Sequence, residues 1–178
     1  RTGGGHDGIF HGGHALYLPG PPNPAFHATS VNRCVHFAGG HLVVPLPAMG
    51  SEYSVEAWFW NGLPCDARGV TGTLVVLGDG EQASRLILGG SDQPVTDTLV
   101  WVAGHADQRR AVAGTTRLRP RTWHHVVLVQ QGRTTRVHLN GNPTPEIEVT
   151  SETADVPSPG RLSLGGDDTS DASLEGRL

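Results

Sequence analysis

The fold is decided by Trp123-His124-His125-Val126-Val127-Leu128-Val129, which continues through Gln130-Gln131-Gly132-Arg133 into Thr134-Thr135-Arg136-Val137-His138-Leu139-Asn140-Gly141. Apolar and polar residues alternate with a period of two in both runs, as in β-strands that bury one face. The short polar segment that contains Gly132 joins the runs, so the pattern predicts a β-hairpin. Asn140-Gly141 supplies the residues that the next tight turn requires.

Similar short runs recur along the rest of the chain, separated by Gly, Pro or Asp. Their spacing of about 10–12 residues is typical of an antiparallel β-sandwich. No stretch shows a 3.6-residue period, so negligible helix is expected. The predicted strands lie at 8–11, 15–18, 32–37, 41–45, 53–60, 72–77, 85–89, 98–102, 110–114, 123–130, 134–140, 145–149 and 161–165.

Composition agrees with this fold class and excludes some functions. The 178 residues fit one domain with a sizeable core, and 25 Gly, 13 Pro and 17% charged residues suit short strands joined by turns. The net charge of −4 disfavours binding to nucleic acid. No apolar run approaches the roughly 20 residues of a transmembrane helix, so membrane insertion is not expected.

The hairpin is similar to the central hairpin of laminin G-like, concanavalin A-like jelly-roll domains, in which a Trp-His-His strand precedes a strand that ends in an Asn-Gly or Asp-Gly turn. The segment from Asn32 to Phe37, with the turn that follows it, resembles the entry hairpin of that family, although Ala38 stands where Asp is usual. The resemblance implies a two-sheet antiparallel jelly roll over residues 1–178, matched only loosely in 1–30. It also implies that the closing strand, which starts near Leu174, is truncated.

The same resemblance implies an origin in a larger bacterial protein that is extracellular, periplasmic or part of the cell envelope. The chain opens with Arg1 rather than Met, which favours an excised fragment. Neighbouring domains of the parent chain are therefore expected partners.

Two cysteines, Cys34 and Cys65, leave two interpretations open. A disulfide would close a loop of about 30 residues and stabilise the fold by roughly 3–4 kcal/mol. Two separate buried thiols are the alternative. The extracytoplasmic setting that the resemblance implies favours the disulfide.

An aromatic strand runs from Ser54 to Trp60. Alternation sends Glu56, Trp58 and Trp60 to the face opposite the core. Indole rings beside a carboxylate can stack on a sugar and accept hydrogen bonds from its hydroxyl groups. The family pattern itself includes a Trp at position 58, which implies a structural role there, whereas Trp60 lies outside the pattern and is the candidate platform for a ligand.

Acidic residues are concentrated in two turns, Gly78 to Glu81 and Gly165 to Asp171. Many members of the family that the chain resembles hold a structural Ca²⁺ in such loops, which offer the oxygen ligands that this cation prefers. The candidate ligands are Asp79, Asp167, Asp168 and Asp171. The absence of the usual Asp at Ala38 counts against the site.

Histidines raise the question of a zinc site at His11 and His14, which have no Cys or strong carboxylate partner. His124 and His125 are adjacent, so they point to opposite faces of a strand and cannot share a metal. Zinc is therefore not expected.

Catalytic motifs are lacking. Glucanases with this sandwich use acidic residues at alternate strand positions, and the nearest match is Glu146-Ile147-Glu148, with only two carboxylates. No nucleophile elbow or phosphate-binding loop is present. We therefore expect a non-catalytic module that binds a glycan. A structural or protein-interaction module without a glycan site is the alternative, and a glycoside hydrolase comes third.

Overall fold

The computed structural model describes residues 7–22, 31–47, 49–92, 96–103, 109–151, 160–168 and 171–178. Within these ranges it contains fourteen β-strands and one short 3₁₀ turn, Gly80–Gln82. No helix of the described residues is long and apolar enough to cross a membrane. The strands are β1 (Ile9–His11), β2 (His14–Pro19), β3 (Arg33–Ala38), β4 (His41–Pro45), β5 (Glu52–Asn61), β6 (Val70–Leu77), β7 (Ser84–Gly89), β8 (Leu99–Ala103), β9 (Arg110–Ala113), β10 (Trp123–Gln131), β11 (Thr134–Leu139), β12 (Ile147–Thr150), β13 (Arg161–Leu164) and β14 (Glu175–Arg177).

The strands form two antiparallel sheets of seven strands each. Sheet 1 has the order β1-β4-β13-β6-β7-β8-β9, and sheet 2 has the order β12-β11-β10-β5-β14-β3-β2. Their facing sides enclose one core, in which the largest fully buried side chains include Phe37, Phe59, Leu74, Leu86, Leu99 and Leu128. The predicted all-β sandwich is confirmed, and every predicted strand is found with its ends within two residues.

The decisive hairpin forms as the sequence predicts. Val126 pairs with Leu139 and Gln131 pairs with Thr134 in the β10–β11 ladder. Burial alternates strictly along both strands, because every second side chain enters the core. Asn140 has φ 53° and Gly141 has φ 76°, so the turn after β11 uses the left-handed conformation that these two residue types tolerate.

The outer faces of the two sheets differ. In β6, β7 and β8 nearly every residue is buried, so sheet 1 is covered on both sides. In β5, β10 and β11, by contrast, the residues that point away from the core are exposed or half-buried. The outer face of sheet 2 is therefore the accessible surface of these central strands.

Cys34 and Cys65 are free cysteines, so the expected disulfide is not formed. The pairing of the strands places the two residues far apart. Asn61, the last residue of β5, and Phe37 both pair with Gly176 of β14, so they lie at the same level. Cys34 lies three residues back along β3, roughly 10 Å from that level, whereas Cys65 follows the end of β5 in the opposite direction. A disulfide requires Cα atoms within about 7 Å.

Candidate functional site

Trp58 is the most exposed aromatic ring of the central strands of sheet 2, with 40% of the residue accessible. It lies opposite His125 of β10 in the ladder, and the two ring centroids are 4.8 Å apart. His125 Nε2 lies 2.8 Å from Oε1 of Glu56, whose side chain is largely exposed. An indole, an imidazole and a carboxylate therefore share one open patch, which we call the Trp58 patch.

The turn after β11 fixes the histidine of this patch. Asn140 Oδ1 accepts a hydrogen bond of 2.9 Å from the backbone N–H of His125. Its amide group also lies 3.2 Å from Nδ1 of His124, which is buried against Phe59. The prediction that the two histidines point to opposite faces is confirmed, and Asn140 contacts both of them.

Both tryptophans lie on the face that the sequence predicted, but their exposures differ. The family pattern implied a structural role for Trp58 and left Trp60 as the candidate platform, whereas Trp58 is the exposed ring and Trp60 is half-buried. The guanidinium of Arg177 lies over Trp60, 4.9 Å from the ring centroid. Because β14 runs directly beside this end of β5, Trp60 gains a neighbour that Trp58 lacks.

Four residues in successive strands of sheet 2 form a row across its outer face. Trp123 pairs with Trp60, Trp60 with Arg177, and Arg177 with His36 of β3. Sequence reasoning missed Arg177 and His36, since nothing local shows that β14 inserts between β5 and β3. The only local signal for an outward-facing Arg177 is that it alternates with Leu174 and Gly176, which are buried.

The acidic turns lie on the other side of the molecule, on the outer face of sheet 1. Asp167 pairs with the buried Arg85 at 2.8 Å. Arg161 binds both Asp79 at 3.1 Å and Asp168 at 3.2 Å. We call these residues the arginine–aspartate network.

Calcium does not fit this network. The three aspartates that were expected to bind a cation already contact guanidinium groups, and the fourth, Asp171, accepts a hydrogen bond from Arg68 through its backbone carbonyl. Among the described residues there is no group of three or more His, Cys, Asp or Glu side chains that could hold a metal ion. Arg85 and Arg161 therefore occupy the place that the sequence assigned to Ca²⁺.

A cleft of about 520 Å³ opens beside the network and is lined by His11, Gly12, Gly39, His41, Asp167, Asp168, Asp171 and Ser173. The imidazoles of His11 and His41 stack with centroids 5.2 Å apart. Burial lowers the pKa of His41, and nearby Asp168 only partly offsets this effect. His14 does not join them, because its ring stacks on Phe10 instead.

The two carboxylates considered for catalysis are each engaged with other groups. Glu146 accepts hydrogen bonds from the backbone N–H groups of Thr115 and Thr116 and from the Thr116 hydroxyl. Burial alone would raise the pKa of Glu146, but these donors outweigh it and lower the pKa. Glu148 pairs with Arg136 at 2.8 Å.

Comparisons with known proteins agree with the fold. The family model described as "Concanavalin A-like lectin/glucanases superfamily" matches residues 38–178. Domain 4 of an extracellular arabinanase from Geobacillus stearothermophilus, solved in complex with arabinotriose, has a TM-score of 0.66 at 13% identity, and the match covers 99% of this chain and 81% of that one. No curated protein matches the sequence.

Two other solved structures extend the comparison. The carbohydrate-binding module CBM66 from Bacillus subtilis has a TM-score of 0.52 at 13% identity, with 93% of this chain and 89% of that one covered. The LG4-5 domains of the mouse laminin α1 chain also reach 0.52, at 17% identity, with coverages of 77% and 37%. The fold is thus one that carbohydrate-binding modules and laminin domains use.

Proposed function

The chain belongs to the concanavalin A-like lectin/glucanase superfamily, and on that premise we propose that it is a non-catalytic module that binds carbohydrate on the outer face of sheet 2. The exposed ring of Trp58 carries the proposal. Sugars present apolar C–H faces that stack on indoles, and hydroxyl groups that pair with carboxylates such as Glu56.

The geometry of the Trp58 patch supports this assignment. His125 lies against the ring and contacts Glu56, so the indole and the carboxylate are held beside each other before any ligand arrives. Such preorganisation lowers the entropic cost of binding. The patch is open rather than enclosed, and this suits an extended glycan more than a small molecule that must be buried.

Similar structures lend support at the level of the fold. One of them is a domain of an arabinanase in complex with arabinotriose, and another is a carbohydrate-binding module. The arabinanase is extracellular, which favours an extracellular or cell-envelope location for this chain too. Fold alone does not fix function, so the residues of the patch carry the argument.

A non-catalytic role is supported by the state of Glu146 and Glu148. Glu146 is committed to the segment at Thr115 and Thr116, and Glu148 to Arg136. Retaining and inverting glycosidases need two carboxyl groups that flank the scissile bond, one of them as a proton donor. A carboxylate whose pKa is lowered, as in Glu146, is unsuited to that role.

Isothermal titration against a panel of neutral and acidic oligosaccharides, arabinotriose included, tests the proposal. We expect a dissociation constant in the micromolar to millimolar range for one small site. Trp58→Ala should weaken binding about tenfold or more, because it removes the stacking surface. Arg136→Ala, on the same outer face in β11, is the matched control and should bind as the wild type does.

Two results would contradict the proposal: no binding across the panel by the folded protein, or binding that Trp58→Ala leaves intact. In the second case, the cleft at His11 and Asp171 would be the next place to look for the site.

A protein-interaction module is the second candidate, favoured by exposed apolar side chains on the first two strands. Ile9, Leu16 and Tyr17 are 64%, 47% and 79% accessible. Exposed apolar surface of this kind can mark a site of packing against another domain. If this candidate is right, the panel shows no glycan binding, and a Leu16→Ser/Tyr17→Ser variant loses association with a neighbouring domain of the parent chain in sedimentation velocity.

A further inference from the structure

Arg177 differs from the arginines that make ion pairs in the described part of the chain. Arg85, Arg136 and Arg161 each contact an aspartate or a glutamate. For Arg177 the structure gives no carboxylate within ion-pair distance among the described residues, and its guanidinium lies on the face of Trp60. The positive charge of Arg177 is thus held on the outer face of sheet 2 without a carboxylate partner among the described residues.

Two buried polar atoms mark the same place. Nε of Arg177 and Nδ1 of His36 are both buried and lack a hydrogen-bond partner. The two residues are directly opposite each other in the β14–β3 ladder. Buried polar atoms without partners are costly in native proteins. Four others occur among the described residues, but only these two lie directly opposite each other on adjacent strands, so unsatisfied polar groups are concentrated here.

We propose that Arg177 and His36 form an anion subsite beside the Trp58 patch, which binds the carboxylate or sulfate group of an acidic glycan. This inference rests on the proposed carbohydrate-binding function and narrows its ligand to sugars with an acidic substituent. A guanidinium presents donors in a fork that matches such groups, and stacking on Trp60 holds the plane of that fork.

Nearby charges limit how many acidic groups the ligand carries. Glu175 lies two residues before Arg177 on the same strand, and Glu56 lies on β5 in the Trp58 patch. The whole chain has a net charge of −4. A polyanion would be repelled by these groups, so the fitting ligand is a mostly neutral glycan with one acidic substituent per binding site.

The test compares three oligosaccharides that differ in one group: a xylo-oligosaccharide that bears a single glucuronic acid, its carboxyl-reduced form, and a monosulfated form. Titration calorimetry with the full chain should show that the wild type binds one of the acidic forms about tenfold more tightly than the reduced form. The form that binds more tightly, the carboxylate or the sulfate, identifies the acidic group of the glycan that the subsite recognises.

Arg177→Met keeps the apolar contact with Trp60 and removes the charge. It should lower the affinity for the preferred acidic form about tenfold while leaving that for the reduced form unchanged, which also shows that the variant is folded. Arg177→Lys, which keeps a charge but loses the fork, should lose most of the preference. Arg136→Met is the matched control on the same face and should retain the full preference.

Equal binding of the acidic and reduced forms by the wild type would overturn the anion subsite and leave the proposed function standing. A preference that survives Arg177→Met would overturn the assignment to Arg177. Failure of the wild type to bind any of the three forms would count against the subsite, and failure across the wider panel would count against carbohydrate binding itself.

Discussion

The aspartates of the arginine–aspartate network on the outer face of sheet 1 are all paired with arginines, whereas charged side chains on the outer face of sheet 2 are only partly paired among the described residues. On sheet 1, Asp79, Asp167 and Asp168 are each matched by a guanidinium of the chain itself. On sheet 2, the ring of Trp58 is open to solvent, and Arg177 has only an aromatic face as its described contact. We read the first face as stabilising the fold and the second as available for a ligand.

Burial of apolar residues separates the two faces in the same way. Val76, Ile87 and Val100 point away from the core on sheet 1, yet they are 2%, 6% and 1% exposed. At the centre of sheet 2 the corresponding outward positions include Trp58 and Val127, which remain partly accessible. Substitutions of outward-facing residues should therefore lower the stability of the fold on sheet 1 and weaken ligand binding on sheet 2.

The largest effect is expected for Arg85→Ala, which would leave Asp167 as a buried carboxylate without its guanidinium partner. Breaking one side of a buried ion pair typically costs about 3–5 kcal/mol. Urea unfolding measures this loss, and Arg136→Ala is the control, since the half-exposed pair with Glu148 should contribute less than about 1 kcal/mol. Equal, small losses for both variants would remove the distinction between the two faces.

A smaller and pH-dependent effect is expected for Glu146→Gln. The folded state lowers the pKa of Glu146 from its ordinary value of 4.5, so its stabilising contribution is fully present above that value and is lost as the pH falls through the lower folded pKa. At pH 7 the variant should lose about 1–2 kcal/mol, given the partial exposure of the group.

The difference between this variant and the wild type should shrink as the pH is lowered below 4.5. Thermal unfolding from pH 7 to pH 3 measures both parts of this prediction. A difference that stays constant over this range would show that the carboxylate acts through its shape and not through its charge.

No effect on melting temperature is expected from calcium or from a chelator. A cation that binds the native state raises the melting temperature by mass action, but Arg85 and Arg161 already neutralise the aspartates that were its candidate ligands. Differential scanning calorimetry in excess CaCl₂ and in EDTA measures the shift. A rise of several degrees in calcium would mean that the ion binds despite the network.

The sequence predicted the fold well because its signals are local. Alternation from Trp123 to Leu139 and the Asn140-Gly141 turn specify a hairpin without any knowledge of the rest of the chain. The aromatic strand was also assigned correctly, since a period of two places Glu56, Trp58 and Trp60 on one face. Local patterns therefore sufficed for the strands and for the side on which each residue lies.

The surroundings of the candidate site residues could not be predicted from the sequence, because they depend on which strands are neighbours. Trp60 is less exposed than Trp58 because β14 pairs with the end of β5. Arg177 and His36 come together only because β14 lies between β5 and β3. The acidic turns looked like a metal site because Arg85 is 82 residues from Asp167 in the sequence, and Arg161 is equally far from Asp79.

Ligand binding at the Trp58 patch is tested most directly by following the four tryptophan indole N–H resonances in a ¹H–¹⁵N NMR titration with the best oligosaccharide of the panel. Single Trp→Phe variants assign the resonances. We expect the Trp58 resonance to shift in a saturable manner, with smaller shifts at Trp60, while the resonance of Trp101, which is 3% exposed in the core, stays in place. Saturable binding that leaves the Trp58 resonance unmoved would contradict ligand binding at this patch.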